Sequence, residues 1–142
     1  MSSADYRIDR ETGRILGVRP GTTRTAFLSR LNGQGADVSL RDPPGASPGA
    51  LAGTGLEVLV SYKDTILEQF LVLVRGDCSG DGQVNSLDLL QARRHLLGLA
   101  ALDGAPAEAA NANGDAAGIN SLDLLLIRRH ILGLAILDPL PD

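Results

Sequence analysis

The feature that most constrains this fold is an internal repeat in the second half of the 142-residue chain. The motif NSLDLL stands at residues 85–90 and again at 120–125, and in both copies RRH and then LGL follow it at the same spacing. A supersecondary unit repeated in this way normally cannot bury its apolar face alone. We therefore expect two loop–helix units that pack on each other around a pseudo-twofold axis.

The residues before the first NSLDLL motif have the spacing of a metal-binding loop. With Asp77 at position 1, oxygen-bearing side chains recur at alternate positions, and Gly82 stands at position 6, where the chain has to turn sharply. Calcium takes roughly six to eight oxygen ligands at about 2.4 Å, and the EF-hand loop supplies them with this spacing. The predicted ligands of the first loop are Asp77, Ser79, Asp81, the backbone carbonyl of Gln83, Asn85 through water, and Asp88. Asp88 replaces the glutamate that usually closes an EF-hand loop, so its shorter side chain has to bring the helix closer to the ion.

The second loop departs from this spacing. A regular count back from Asp123 puts Ala112, Gly114 and Ala116 at ligand positions, where their side chains offer no oxygen. One inserted residue near positions 116–117 restores a set of oxygen ligands, which we predict to be Asn111, Asn113, Asp115, the backbone of Gly118, Asn120 and Asp123. This set has two carboxylates where the first has three, and it lacks the turn glycine, so it should bind calcium more weakly.

The two halves of the chain differ in charge. Residues 1–75 carry a net charge of +1 and residues 76–142 carry −5. Two calcium ions would offset most of the negative charge, whereas without metal the clustered carboxylates should repel one another and loosen the fold. No basic patch interleaved with aromatic residues indicates a nucleic-acid partner, and no apolar run approaches the roughly 18 residues of a membrane span.

The first half of the chain has the pattern of a small β-rich domain. Apolar runs predict strands at residues 6–8, 14–18, 36–41, 56–62 and 66–74, with a hairpin turn at residues 63–65. Thr22 or Thr23 can cap a short helix that ends near Leu31. Because the last strand enters the first metal loop without a linker, we expect this domain to pack on the repeats. The predicted fold class is α+β, with a small β-rich N-terminal domain over residues 1–75 packed on an all-α duplicated loop–helix module over residues 76–142.

No constellation of side chains indicates catalysis. Residues 1–75 contain no histidine and no cysteine, and Cys78 is expected to face away from the ion. His95 and His130 stand near helix ends with no nucleophile close in sequence, which is typical of surface or helix-terminal histidines. We therefore expect a protein that is not an enzyme.

Each repeat helix carries more apolar surface than its contact with the twin requires. In the first helix, Leu89, Ala92 and Leu96 can face the other repeat. A second stripe, turned away from the first, consists of Leu87, Leu90, Arg94 and Leu97 in the first helix and of Leu122, Leu125, Arg129 and Leu132 in the second. We call these the outer stripes. An apolar stripe with an arginine either packs on the N-terminal domain or forms a partner-binding face.

The segments GDCSGDGQVNSLDLLQARRHLLGL and NANGDAAGINSLDLLLIRRHILGL together resemble the two F-hand repeats of a type I dockerin. This resemblance implies two calcium ions, no catalysis, and binding to a cohesin module of a scaffoldin or surface protein in a cellulosome-type assembly. It also implies that loop positions 10 and 11, which are Ser86-Leu87 and Ser121-Leu122, help to choose the cohesin. Because both copies carry the same pair, the module could dock in either of two orientations related by half a turn.

The resemblance further implies an extracellular or cell-surface location, as part of a larger secreted protein, and a monomer when free. One alternative stays open at this point. The repeats could instead form a calcium-stabilised structural domain of a bacterial surface protein that has no cohesin partner. That alternative predicts that both outer stripes are buried.

Overall fold

A computed structural model describes residues 3, 5–42, 49–99, 102, 104–112 and 119–133, and its architecture is mixed α+β, as the sequence predicts. The described strands are β1 (Arg7–Asp9), β2 (Arg14–Leu16), β3 (Asp37–Arg41), β4 (Glu57–Tyr62) and β5 (Thr65–Val72). The described helices are α1 (Arg24–Ser29), α2 (Ser86–Leu96), α3 (Gly104–Ala110) and α4 (Ser121–Ile131). None of these helices is long and apolar enough to cross a membrane.

The strands form one five-stranded sheet in the order β1-β2-β5-β4-β3. All neighbouring pairs are antiparallel except β2 and β5, which are parallel, with Ile15 opposite Val72. The β4–β5 hairpin is tighter than the sequence predicts, because Thr65 already pairs with Tyr62. The two residues between them, Lys63 and Asp64, both have positive φ. Such two-residue turns match the right-handed twist of the flanking strands.

The core of the N-terminal domain lies on one face of this sheet. Alternate residues of β4 and β5 point into it, and Phe27 of α1 is fully buried there with its ring 5.3 Å from that of Tyr6. The buried members of this core are Tyr6, Ile15, Val18, Phe27, Ala52, Leu56, Val58, Val60, Phe70, Val72 and Val74. The period of two in these strands is typical of a sheet with one covered face.

Helices α2 and α4 begin in the same way and pack in a shared cluster. Each starts after an asparagine cap, Asn85 or Asn120, whose side chain accepts a hydrogen bond from the second helical residue. Ala92 and Ile127 are fully buried in this cluster, and Val84 and Ile119 pack against it from the two loops. The repeats therefore bury their apolar surface jointly.

Leu96 does not follow the expected inner stripe of α2. Ala92 is fully buried and Leu89 is partly buried, but Leu96 is 41% exposed. It is the last residue of the helix, one turn beyond Ala92.

Helix α3 connects the repeats to the N-terminal domain. Its residues Ala105 and Ala109 are buried against Leu16 and Leu73. The guanidinium of Arg14 donates to both carboxylate oxygens of Glu108 at 2.7 and 3.1 Å. The guanidinium of Arg75 also donates to the carbonyl of Glu108 at 2.9 Å. The two halves of the chain are thus packed together, as expected from the missing linker.

Replacing Ile127 by alanine should destabilise the protein strongly. The side chain is fully buried, and truncation of a buried isoleucine costs about 2 to 5 kcal/mol in free energy of unfolding. Leu125→Ala on the same helix is the matched control, because Leu125 is 43% exposed and its truncation should cost about 1 kcal/mol or less. Urea denaturation of both variants in calcium-containing buffer measures the difference, and equal losses would contradict the packing described here.

Candidate metal centre

The loop before α2 is built around the carboxylate of Asp77, which is fully buried. Its Oδ1 accepts hydrogen bonds from the N–H of Gly80 at 3.0 Å and the hydroxyl of Ser79 at 3.2 Å. Its Oδ2 accepts from the N–H of Gly82 at 2.9 Å and from the N–H of Thr54 at 3.0 Å. Three of the four donors are backbone groups, which fixes the orientation of this carboxylate.

Asp88 ties the end of the same loop to its beginning. Its Oδ1 accepts from the N–H of Ser79 at 2.9 Å, and its Oδ2 accepts from the N–H of Asn85 at 2.8 Å. The second bond is half of a capping box at the start of α2. An aspartate at this position can therefore cap the helix and still belong to the acidic cluster.

Three carboxylates converge in this loop. One oxygen each from Asp77, Asp81 and Asp88 lies within 4.8 Å of the others. Two oxygens bound to one calcium at about 2.4 Å can be at most about 4.8 Å apart, so this spacing fits a shared calcium ion. Asp81 is exposed and its Oδ1 accepts from the N–H of Gln83 at 2.9 Å, which curls the loop around the cluster.

The glycines of the loop are required both by conformation and by close approach of the N-terminal domain. Gly82 has a φ of 85°, and a Cβ there would lie 2.6 Å from the Cβ of Leu51. Gly80 has a φ of 84°, and a Cβ there would lie 2.8 Å from the carbonyl oxygen of Thr54. Position 6 of the loop therefore has the turn glycine that the sequence predicts. The close approach of Leu51 is a second reason why this position requires glycine.

Burial dominates the electrostatics of the cluster. It raises the pKa of Asp77 to about 7, against the lowering effect of the N–H donors of Thr54 and Gly82. It also raises the pKa of Asp88. The charged forms of these carboxylates therefore need a compensating positive charge, which a divalent cation would supply.

Of the predicted ligands of the first loop, the structure brings Asp77, Asp81 and Asp88 together. Ser79 and Asn85 contact the cluster directly, since Ser79 donates to Asp77 and the amide of Asn85 lies 3.5 Å from Asp81 Oδ2. Asn85 also caps α2, accepting from the N–H of Leu87 at 3.1 Å. Its predicted role as a ligand through water stays a prediction.

Only part of the predicted second site falls within the described residues. Asn120 caps α4, and Oδ2 of the fully buried Asp123 accepts from the N–H of Asn120 at 2.8 Å, as Asp88 does in the first repeat. Asn111 is half-buried beside α3. Asn113, Asp115 and Gly118 lie outside the described residues, so the second ligand set stays a prediction.

The outer stripes of the two helices are both exposed. Equivalent leucines have nearly equal exposed fractions: 47% and 48% for Leu87 and Leu122, and 62% and 60% for Leu97 and Leu132. The remaining members of the two stripes, which are Leu90, Leu125, Arg94 and Arg129, are exposed as well, and so are Ser86 and Ser121. Neither stripe packs against the described part of the N-terminal domain.

The residues that could suggest catalysis have structural roles where the structure describes them. Nδ1 of His95 accepts from the N–H of Leu102 at 2.8 Å, which holds the connection after α2. Cys78 is buried in the cluster between the repeats, and burial raises the pKa of its thiol to about 12. A thiol of this kind stays protonated and is a poor nucleophile near neutral pH.

Comparison with known families agrees with this geometry. Residues 75–132 match the family model of the dockerin type I domain. This match supports a type I dockerin module in that segment. Comparison of the chain with curated proteins and with solved structures found no significant match. Type I dockerins are non-catalytic docking modules that bind calcium, and the acidic cluster of the first loop could hold such an ion.

Sequence reasoning missed the contribution of the N-terminal domain to this dockerin loop. Thr54, Gly53 and Leu51 all approach the loop closely, although no side-chain motif marks them as part of a metal centre. It also missed the capping roles of Asn85 and Asn120. The pattern of asparagine followed three residues later by aspartate, just before an apolar run, could have revealed these caps.

Calcium binding to the first loop should become stronger as the pH rises. Burial raises the pKa of Asp77 to about 7, so protonation of this carboxyl stabilises the metal-free fold at acidic pH, and the stabilisation is lost as the pH rises through about 7. Burial raises the pKa of Asp88 as well. Calcium requires the deprotonated carboxylates, so its apparent affinity should increase by about tenfold between about pH 6 and about pH 8 for one released proton. Calorimetric titration in buffers of different ionisation enthalpy measures both the calcium affinity and the number of protons released on binding. An affinity that is constant over this range would contradict the prediction.

Proposed function

We propose that residues 76–142 form a calcium-dependent docking module that binds a cohesin of a scaffoldin or surface protein. The observation that carries this proposal is the exposure of both outer stripes. A structural domain without a partner has no reason to leave two long apolar stripes in solvent, and exposed apolar patches of this kind are typical of protein interfaces.

Calcium would act by fixing the start of each recognition helix. In the first loop, the ligands would be Asp77, Ser79, Asp81, Asn85 and Asp88 with the carbonyl of Gln83. Asp88 also caps α2, so a cation held by its carboxylate would lock the helix to the loop. A second, weaker ion would bind at Asn111, Asn113, Asp115, Gly118, Asn120 and Asp123, which gives two calcium ions in all.

The module would dock in either of two orientations. Ser86 and Leu87 on α2 match Ser121 and Leu122 on α4 in sequence, position and exposure. A cohesin surface that fits one helix would therefore fit the other after a rotation of half a turn. In both modes the contact would be completed by an apolar residue and an arginine of the same stripe, Leu90 with Arg94 or Leu125 with Arg129.

The packing of the N-terminal domain on the first loop is the observation that favours the alternative, a calcium-stabilised structural domain. That packing covers the loop and α3 but leaves both outer stripes exposed. The alternative has no cohesin partner and predicts that both stripes are buried, so their exposure favours the docking module. We propose an extracellular or cell-surface location as part of a larger secreted protein, and a monomer when free.

Substitutions in the outer stripes test the docking mode. If both orientations are used, Leu87→Asp or Leu122→Asp alone should weaken binding to a purified cohesin by at most about twofold, because the other helix remains available. The double variant should lose about 100-fold or more in affinity, because a charge then stands in the centre of the interface in either mode. Surface plasmon resonance against a panel of cohesin modules measures these constants.

Leu67→Asp is the matched control, because Leu67 is 58% exposed on β5, away from the repeats. It should leave cohesin binding unchanged. Loss of binding in a single-helix variant would indicate one orientation only. Wild-type binding by the double variant would refute the assigned interface.

A further inference from the structure

The side of the first calcium loop that faces the N-terminal domain is covered by residues 51–54. Three contacts bring the two segments together. The N–H of Thr54 donates to Oδ2 of Asp77, the Cβ of Leu51 touches Gly82, and Gly53 packs on the backbone of Gly80. The carbonyl of Gly82 in turn accepts from the N–H of Gly21 at 2.8 Å. The N-terminal domain thus contacts the loop through backbone groups on two of its segments.

Thr54 is itself held rigidly. It is 4% exposed, and its hydroxyl accepts from the N–H of Val74 at 3.0 Å and donates to the carbonyl of Val74 at 3.2 Å. Val74 is fully buried in the sheet core. The N–H that points at Asp77 is therefore fixed by the core of the N-terminal domain and not only by the loop.

The hydrogen bonds of Asp77 divide into fixed and movable partners. The N–H groups of Thr54, Gly80 and Gly82 belong to the backbone and cannot turn away from the carboxylate. The hydroxyl of Ser79 can turn away by rotation about one side-chain bond. A carboxylate has about four lone-pair sites, so three fixed donors orient it and leave one site that a cation can take from the hydroxyl.

We infer that Thr54 is a positioning residue for the first calcium site, with Gly53 providing the space that its approach requires. This inference rests on the proposed calcium binding of the loop. Groups that orient metal ligands from outside the ligand set typically change metal affinity by about 10-fold to 100-fold when they are lost. The calcium affinity of this dockerin module therefore depends on a domain that lies outside residues 75–132.

Substituting alanine at Gly53 is the sharpest test, because a Cβ there would lie 2.2 Å from the carbonyl oxygen of Gly80 and 2.7 Å from the N–H nitrogen of Gly82. The substitution should separate the two segments and weaken calcium binding to the first loop by about tenfold or more. Gly49→Ala is the matched control, because the nearest atom to a Cβ at Gly49 is a guanidinium nitrogen of Arg24 at 3.9 Å. It should leave the affinity unchanged. The calcium affinity of both variants is measured by calorimetric titration of the full chain. The binding event that Asp88→Ala abolishes is the one assigned to the first loop.

A second pair of variants separates positioning from general stability. Thr54→Val keeps the shape of the side chain but removes the hydroxyl that fixes Thr54 to Val74, and it should weaken calcium binding to the first loop. Thr54→Ser keeps the hydroxyl and should therefore retain the wild-type calcium affinity. This pair also tests the positioning role of Thr54 if Gly53→Ala does not fold. Thr65→Val, at the exposed start of β5, is the control for replacing a threonine hydroxyl by a methyl group. It should leave calcium binding unchanged.

The outcomes are distinguishable. Weakened first-loop binding in Gly53→Ala and Thr54→Val, with wild-type affinity in Gly49→Ala and Thr54→Ser, supports the role of Thr54. Wild-type affinity in folded Gly53→Ala and Thr54→Val overturns it, while the calcium site itself stands. A wild-type protein that does not bind calcium overturns the proposed function and this inference together.

Discussion

The structure depends on one buried carboxylate. Asp77 has no contact with solvent, and its two oxygens accept hydrogen bonds from three backbone N–H groups and one hydroxyl. A buried charge is costly unless it is paired or hydrogen-bonded, and these four donors reduce that cost. Two of these donors, the N–H groups of Gly80 and Gly82, curl the loop, and the third, from Thr54, joins it to the N-terminal sheet. One oxygen each from Asp77, Asp81 and Asp88 lies within 4.8 Å of the others, and a calcium ion would balance their charge.

This arrangement links the loop to the helices that would meet a partner. Asp88 belongs to the acidic cluster and also caps α2, so the position of the helix and the state of the cluster are connected through one side chain. Asp123 makes the same cap on α4. The two helices are alike in sequence, capping and exposure. Within the described residues, the contacts of the first loop with residues 51–54 join the first repeat to the N-terminal domain.

Much of the local structure could be predicted from the sequence, because the signals are local. Apolar runs predicted β4 and β5, and the loop spacing predicted that Asp77, Asp81 and Asp88 converge. The parallel pairing of β2 with β5 and the hydrogen bond between Thr54 and Asp77 could not be predicted in this way. Both depend on backbone groups, which every residue carries, so no side-chain pattern marks them. The outer stripes could be identified from helical periodicity, but whether they were buried or exposed required the tertiary structure.

Calorimetric titration of the metal-free protein with calcium tests the central claim most directly, when wild type is compared with Asp88→Ala and Asp123→Ala. The two variants are matched, because each removes one capping aspartate at the start of a repeat helix. The account predicts that wild type binds calcium, that its tighter binding event is lost in Asp88→Ala, and that this event is retained in Asp123→Ala. The absence of binding at about 10 mM calcium, which is well above the dissociation constants of about 0.1 to 1 mM of weak extracellular sites, would contradict it.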